Sequence, residues 1–264
     1  MFGIKQKLKT RLSRRYHLSR LNRRIKRPFR LGELHGLALS RNERYLYCVY
    51  YYDHFLPQQI REHRRYFEEH RRGFGEDAFH SMWFLLFEEF RPNRALEIGV
   101  YRGQTITLWK LLSRHLTFEC KIACISPFIP AGDSVSRYTE QLDYLQDVKE
   151  NHVRFDLLLP EFCHHYSTAS ETKDFISHRQ WDLIYIDGNH DYEVVCQDWA
   201  LCKRALSPHG IIVLDDASLG TDFSPPSFAT AGHPGPSRLA AEIDSAEFRE
   251  IFSVGHNRVF QHLR

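Results

Sequence analysis

Two short apolar runs late in the chain, each ending in acid, constrain its fold more than any other feature. Trp181-Asp-Leu-Ile-Tyr-Ile-Asp187 and Gly210-Ile-Ile-Val-Leu-Asp-Asp216 lack the polar alternation of a strand with one wet face. Such runs suit strands buried on both faces, as in a parallel sheet covered by helices. Ligands of these sheets bind in the crevice beyond the carboxyl ends of the strands. Asp187, His190, Asp215 and Asp216 fall there together. Three carboxylates and an imidazole at one rim suit a hard cation and a proton acceptor.

The rest of the chain fits the same architecture. After Pro92 the pattern predicts strands over 94–99, 121–126, 161–166, 181–187 and 210–216, with helices over 105–115, 138–151, 170–178 and 193–205 between them. This alternation implies an α/β fold with a doubly wound, mostly parallel sheet of Rossmann-like type. A short helix over 237–244 and an antiparallel pair, 247–254 and 258–262, would close the chain, with Gly255-His-Asn257 as the turn. Phe79, Met82, Trp83, Leu86 and Phe90 recur at helical spacing, so their expected role is core packing. Pro57 and Gly73 bracket another expected helix. The expected division is a basic N-terminal extension over 1–42, a helical, aromatic-rich lead-in over 43–75, and the main domain over 76–264. The Gly/Pro/Phe-rich segment 219–237 exceeds a simple connection and is expected to cover part of the site.

With 264 residues, 42% hydrophobic and 14% aromatic, the chain can bury a large core. No run reaches the roughly 20 apolar residues of a membrane-spanning helix, and no secretory signal is seen, so a cytoplasmic location is expected. The six cysteines form no C-x-x-C pair and are expected to be buried free thiols. The net charge of +3 conceals an asymmetry. Residues 1–30 hold twelve Lys or Arg and no acid, which leaves a body of about −9. Ile4, Leu8, Leu12 and Tyr16 would give a tail helix a narrow apolar stripe. Such a helix could lie peripherally on an anionic membrane surface, and a solvated tail fits equally well. The composition is also that of an organelle transit peptide. No aromatic-interleaved surface accompanies the charge, so no specific nucleic acid is expected. A homo-oligomer stays open.

The first strand runs into Ala95-Leu-Glu-Ile-Gly-Val-Tyr-Arg-Gly-Gln-Thr105. Gly99 and Gly103 allow a tight turn and close backbone approach, and the following helix N-terminus favours an anion. The phrase is not the G-x-G-x-x-G of dinucleotide sites.

Glu97-Ile-Gly-Val-Tyr-Arg-Gly-Gln-Thr105 resembles the first motif of class I S-adenosylmethionine-dependent methyltransferases. Asp187-Gly-Asn-His-Asp-Tyr192 and Gly210-Ile-Ile-Val-Leu-Asp-Asp216 resemble the fourth- and fifth-strand motifs of their metal-dependent small-molecule and sugar O-methyltransferase branch. The resemblance covers roughly 76–264. It implies that Glu97, Gly99 and Gly103 border the methionine part of S-adenosylmethionine, that Tyr101, in the same turn, is a cofactor-binding residue, and that Ser167 meets the adenine. It further implies that Asp187, Asp215 and Asp216 hold Mg²⁺ or a similar cation, and that His190 is the general base. The second strand of these enzymes usually ends in an acid that holds the ribose. Here Ser126 stands in that place, and a residue of Gly132-Asp-Ser-Val135 is the alternative.

The implied reaction is transfer of a methyl group to a hydroxyl of a small molecule or sugar. The competing expectation is a catalytically inactive ligand- or membrane-binding protein of the same fold. Gly188-Asn-His-Asp191 also spells the GNHD phrase of calcineurin-like metallophosphoesterases. Those enzymes need an upstream D-x-H pair, and this chain has none.

Overall fold

A computed structural model describes residues 27–138, 142–227 and 229–263. The apolar stripe of the tail, Ile4 to Tyr16, lies outside the described residues. The described chain opens with helices α1 (Leu31–Gly36), α2 (Arg41–His54), α3 (Gln58–Glu69) and α4 (Asp77–Phe90). Strand and helix then alternate through β1 (Arg94–Ile98), α5 (Gln104–His115), β2 (Lys121–Ile125), α6 (Tyr144–Arg154), β3 (Glu161–Cys163), α7 (Ser170–Ser177), β4 (Trp181–Ile186), α8 (Tyr192–Ala205) and β5 (Leu206–Leu214). Helix α9 (Pro234–Glu242) and strands β6 (Phe248–Val254) and β7 (Asn257–His262) complete it.

The sheet has seven strands in the order β3-β2-β1-β4-β5-β7-β6. The first five are mutually parallel, and β7 runs antiparallel to both β5 and β6. The chain reverses its direction of travel across the sheet between β1 and β4, which is the switch point where such folds bind ligands. The central strands are buried on both faces. Leu183, Tyr185, Ile211 and Val213 join a core shared with α1 to α6, whereas Ile184, Ile186, Ile212 and Leu214 join one shared with α7 to α9. Two covered faces explain why these strands read as unbroken apolar runs.

Several boundaries differ from the expectation for physical reasons. Helix α6 starts at Tyr144 because Asp143 caps it, accepting a hydrogen bond from the Gln146 N–H at 2.9 Å. Strand β3 stops at Cys163, whose carbonyl accepts from Ser126 N–H, and the chain turns so that Ala169 N–H donates to Tyr166 O. The expected turn at 207–210 is instead an irregularity within β5, where the register against β4 shifts between Trp181 and Leu183. His209 adopts φ +60° there.

The lead-in helices pack directly on the sheet. Leu31, Leu34, Tyr45 and Tyr51 share one buried cluster with Trp109 and Val213. A charge network fastens α2 to the C-terminal hairpin: Arg41 reaches Glu250 at 2.6 Å, and Arg258 reaches the same carboxylate at 2.6 Å. All six cysteines are free, and five are buried. Among the described residues no helix is long and apolar enough to cross a membrane.

One glycine is indispensable to the switch point. Gly99 has φ +99°, and a Cβ there would stand 1.9 Å from the Asp187 carbonyl oxygen. Relief would require β1 and β4 to separate at their ends, because the obstacle is backbone. Gly99→Ala is therefore expected to cost more than about 3 kcal/mol in urea-unfolding free energy, well above an ordinary surface substitution.

Candidate active site

The ladder between strands continues one residue past their ends. Ile98 pairs with Ile186, and Ile186 with Leu214. Beyond them, Asp187 N–H donates to Ile98 O at 2.8 Å and Asp215 N–H donates to Ile186 O at 3.0 Å. Gly99, Asp187 and Asp215 thus form the next row. Residues two apart share a face of a sheet, so Glu97, Asp187 and Asp215 sit on the face of Tyr185 and Val213. Asp216 would point to the opposite face if the strand continued. Its left-handed backbone, φ +50°, turns it back towards His190 instead.

Two connected cavities lie over this row. The smaller, about 140 Å³, is bordered by Gly99, Tyr101, Ser126, Ser167 and Asp187. The larger, about 440 Å³, is bordered by Glu97, Gly103, His190, Asp215 and Asp216, and shares Gly99, Tyr101 and Asp187 with the first. Every site residue expected from the sequence therefore faces one of two adjoining spaces.

Their roles within those spaces differ. Glu97 is buried, hydrogen-bonded to the Thr105 side chain and to Ile106 N–H, and its Oε2 has no partner. Burial, with Asp215 nearby, pushes its carboxyl up to about 8. Gly103, with φ +81°, forms the N-terminal cap position of α5. The Tyr101 ring stacks between Phe74, at 5.0 Å, and Tyr138, at 5.6 Å. Ser126 borders the smaller cavity, but its hydroxyl is committed locally. It donates to Val100 O at 2.9 Å and accepts from Phe128 N–H at 3.1 Å. Ser167 is hydrogen-bonded to buried Asp198, whose carboxyl burial pushes up to about 7.

The acids are arranged as a pair and an outlier. Asp187 and Asp215 are hydrogen-bonded to each other, and burial raises both above the usual carboxylate range, helped at Asp187 by the charge of Asp215 and at Asp215 by that of Asp216. Burial also works to raise Asp216, yet the hydrogen bond from His190 and the charge of His256 outweigh it and hold it low. His190 is gripped at both ring nitrogens: Nδ1 lies 2.6 Å from Asp133 Oδ2, and Nε2 lies 3.0 Å from Asp216 Oδ2. Burial opposes its charge, but the two carboxylates prevail and hold it up at about 9.

Three participants escaped the assignment made from sequence. Asp133, considered there only as an alternative for ribose, is fully engaged. It accepts from the backbone N–H groups of Val135, Ser136 and His190 as well as facing the His190 ring. His233 Nε2 lies 3.5 Å from Asp216, and His256 Nε2 lies 3.3 Å from Asp215. His233 is the N-cap residue of α9 and His256 lies in the β6–β7 turn, where no periodicity marks them. The segment 219–237 brings Thr230 and His233 to the larger cavity, while Phe223 is buried against Tyr45 rather than covering the site.

Residues 96–217 match a family described as a methyltransferase domain. Solved structures share the fold at low identity. The SAH-bound methyltransferase PaMTH1 of Podospora anserina is 17% identical, with a TM-score of 0.55 over 91% of this chain and 99% of that one. A putative caffeoyl-CoA O-methyltransferase of Staphylococcus aureus is 12% identical, with a TM-score of 0.57 over 82% and 97%. The SAH-bound O-methyltransferase of Bacillus cereus is 14% identical, with a TM-score of 0.54 over 81% and 96%. No curated protein matches the chain by sequence. Residues 96–217 thus carry the match to a methyltransferase domain, and the chain shares the fold of these solved methyltransferases.

The raised Glu97 carboxyl has a consequence for stability without ligand. A carboxyl whose folded value exceeds its unfolded value binds its proton more tightly when folded. Its contribution is complete below about 4.5 and disappears as pH rises through about 8. Glu97→Gln should flatten stability across that window by an amount on the order of a few kcal/mol, measured as urea midpoints from pH 5 to 8.5.

Proposed function

We propose that the enzyme transfers the methyl group of S-adenosylmethionine to a hydroxyl of a small molecule or sugar, assisted by a divalent cation and by His190 as proton acceptor. The observation that carries this reading is the meeting of Asp187, Asp215, Asp216 and His190 at the cavity next to the glycine turn. Two fold neighbours are O-methyltransferases, that of Bacillus cereus and TomG of Streptomyces achromogenes, which favours oxygen as the atom methylated. A cavity of about 440 Å³ suits a small acceptor.

The adenosine part of the cofactor would lie in the smaller cavity, against Ser167, with Tyr101 at the junction. Because the Ser126 hydroxyl is spent on backbone, ribose recognition there would rely on shape rather than on a charged hydrogen bond. Glu97 and the turn at Gly99 face the methionine end. A buried carboxyl with an unpartnered oxygen is suited to the cofactor's cationic groups.

The donor set fits a divalent cation. Asp215 Oδ1 is buried without a well-aligned hydrogen bond, and Asp187 sits at its side. The ion would offset the crowding of carboxylates, acidify a bound hydroxyl and relieve Asp216 of its role as counter-charge to His190. Asp133 fixes the Nδ1–H of His190, as an orienting carboxylate does for a general base. Nε2 stands 3.0 Å from Asp216 Oδ2, and with that carboxylate turned to a cation it would be free to take the acceptor's proton as the oxygen attacks the methyl carbon. The methyl carbon–sulfur bond then breaks, and the electron pair remains on sulfur.

Methyl transfer from labelled S-adenosylmethionine to a panel of catechol, flavonoid and sugar acceptors tests this reading. His190→Gln should lower kcat by about 10²- to 10⁴-fold with little change in cofactor affinity. Asp187→Ala should abolish turnover while circular dichroism and unfolding stay native. Near wild-type rates in either variant would remove the assigned role.

A further inference from the structure

The larger cavity contains two sets of metal-competent groups, and each includes imidazole. Donor atoms of Asp215, Asp216 and His256 lie within 4.8 Å of one another, as do those of Asp216, His190 and His233. Asp187 belongs to neither set; its carboxyl is turned to Asp215. We infer that the cation site is a mixed nitrogen–oxygen site, with His256 and His233 beside Asp215 and Asp216, built for a first-row transition ion rather than Mg²⁺. This rests on the reading that a cation serves the reaction.

The spacing suits shared coordination. Neighbouring ligands of an ion at about 2.1 Å stand about 3 Å apart. His256 Nε2 is 3.3 Å from Asp215 Oδ1, and His233 Nε2 is 3.5 Å from Asp216 Oδ2. The Asp215 oxygen nearest His256 is buried and makes no aligned hydrogen bond, so it is an orphan aimed into the cluster.

The backbone holds each histidine in place. His256 O accepts from Ala217 N–H at 2.8 Å, and its ring packs edge-on against Phe79 at 4.7 Å. Its Nδ1 lies 3.4 Å from Thr230 O, so that nitrogen is the one suited to carry the proton and Nε2 keeps its lone pair. His233 N–H donates to Asp216 O at 2.8 Å, which ties the second ring to the same acid. A ligand imidazole anchored through its other nitrogen to a carbonyl is the usual support of a metal-bound histidine. Mg²⁺ is served by oxygen ligands and water, whereas imidazole favours Fe²⁺, Co²⁺ and Zn²⁺.

The test uses untagged, full-length protein stripped by chelator and titrated with Co²⁺ or Mg²⁺ alone. Most sites prefer transition ions to Mg²⁺, so the deciding quantity is dependence on histidine. His256→Gln should weaken Co²⁺ binding by about tenfold or more and leave Mg²⁺ affinity within about twofold. His233→Gln, at a half-buried position, should weaken Co²⁺ binding in the same selective way. Because the His256 variant can misfold, pulsed EPR of wild-type protein loaded with Mn²⁺ gives an independent readout, with modulation from directly bound ¹⁴N expected. Absence of ¹⁴N modulation, or Co²⁺ affinity unchanged in both folded variants, overturns the inference and leaves the cation reading intact. Binding of neither ion overturns both.

Discussion

Hydrogen bonds that run one residue past the ends of β1, β4 and β5 determine where the acids stand. Asp187 N–H to Ile98 O and Asp215 N–H to Ile186 O keep three strand ends in register after the strands themselves have finished. In-register ends give in-register side chains, so Glu97, Asp187 and Asp215 share one face and crowd together. Burial is the larger cause of the raised carboxyls at this rim, and the crowding adds to it. Like charges that close cannot all ionise without a counter-charge. The protein also needs Gly99 at the centre of the arrangement, because only a residue without Cβ lets β1 approach the Asp187 carbonyl.

The histidines balance that crowding. Within reach of Asp215 and Asp216 stand His190, His233 and His256, each drawn from a different segment. His190 follows β4, His233 precedes α9, and His256 tips the hairpin between β6 and β7. The antiparallel pair added beyond β5 is thus more than an edge cover, since its turn delivers a ring to the acids. Asp133, from the stretch after β2, completes the set by holding His190 from behind. Four separate connections therefore converge on two adjacent acids, and the fold's topology is what makes them neighbours.

The sheet and most of its helices were legible because their cause is local and periodic. Apolar runs over 181–186 and 211–214 report two buried faces directly, and the glycines at 99 and 103 mark a turn that only positive φ permits. The acids were legible for the same reason, since strand ends define the rim. His233 and His256 were not, because a cap or turn residue carries no period and its position depends on pairing between distant segments. Ser126 was legible as a departure, but its commitment to Val100 O was not, since that bond joins two loops after different strands. Within the segment 219–237, Phe223 turns away from the site. A phenylalanine in a long loop packs wherever apolar surface is open, and here Tyr45 of α2 supplied it.

The serine at the end of β2 and the acids at the end of β4 and β5 bear on each other. A carboxylate at 126 would stand across the switch point from Asp187 and Asp133, adding another negative group to a cleft that already holds several. Serine removes that repulsion and closes the loop after β2 through two backbone bonds. That loop leads to Asp133, and Asp133 must be held firmly to fix the imidazole of His190. A neutral, locally bonded residue at this point therefore adds rigidity to the segment that holds the His190 ring. The charge that other positions of the cleft can carry is set by the same balance.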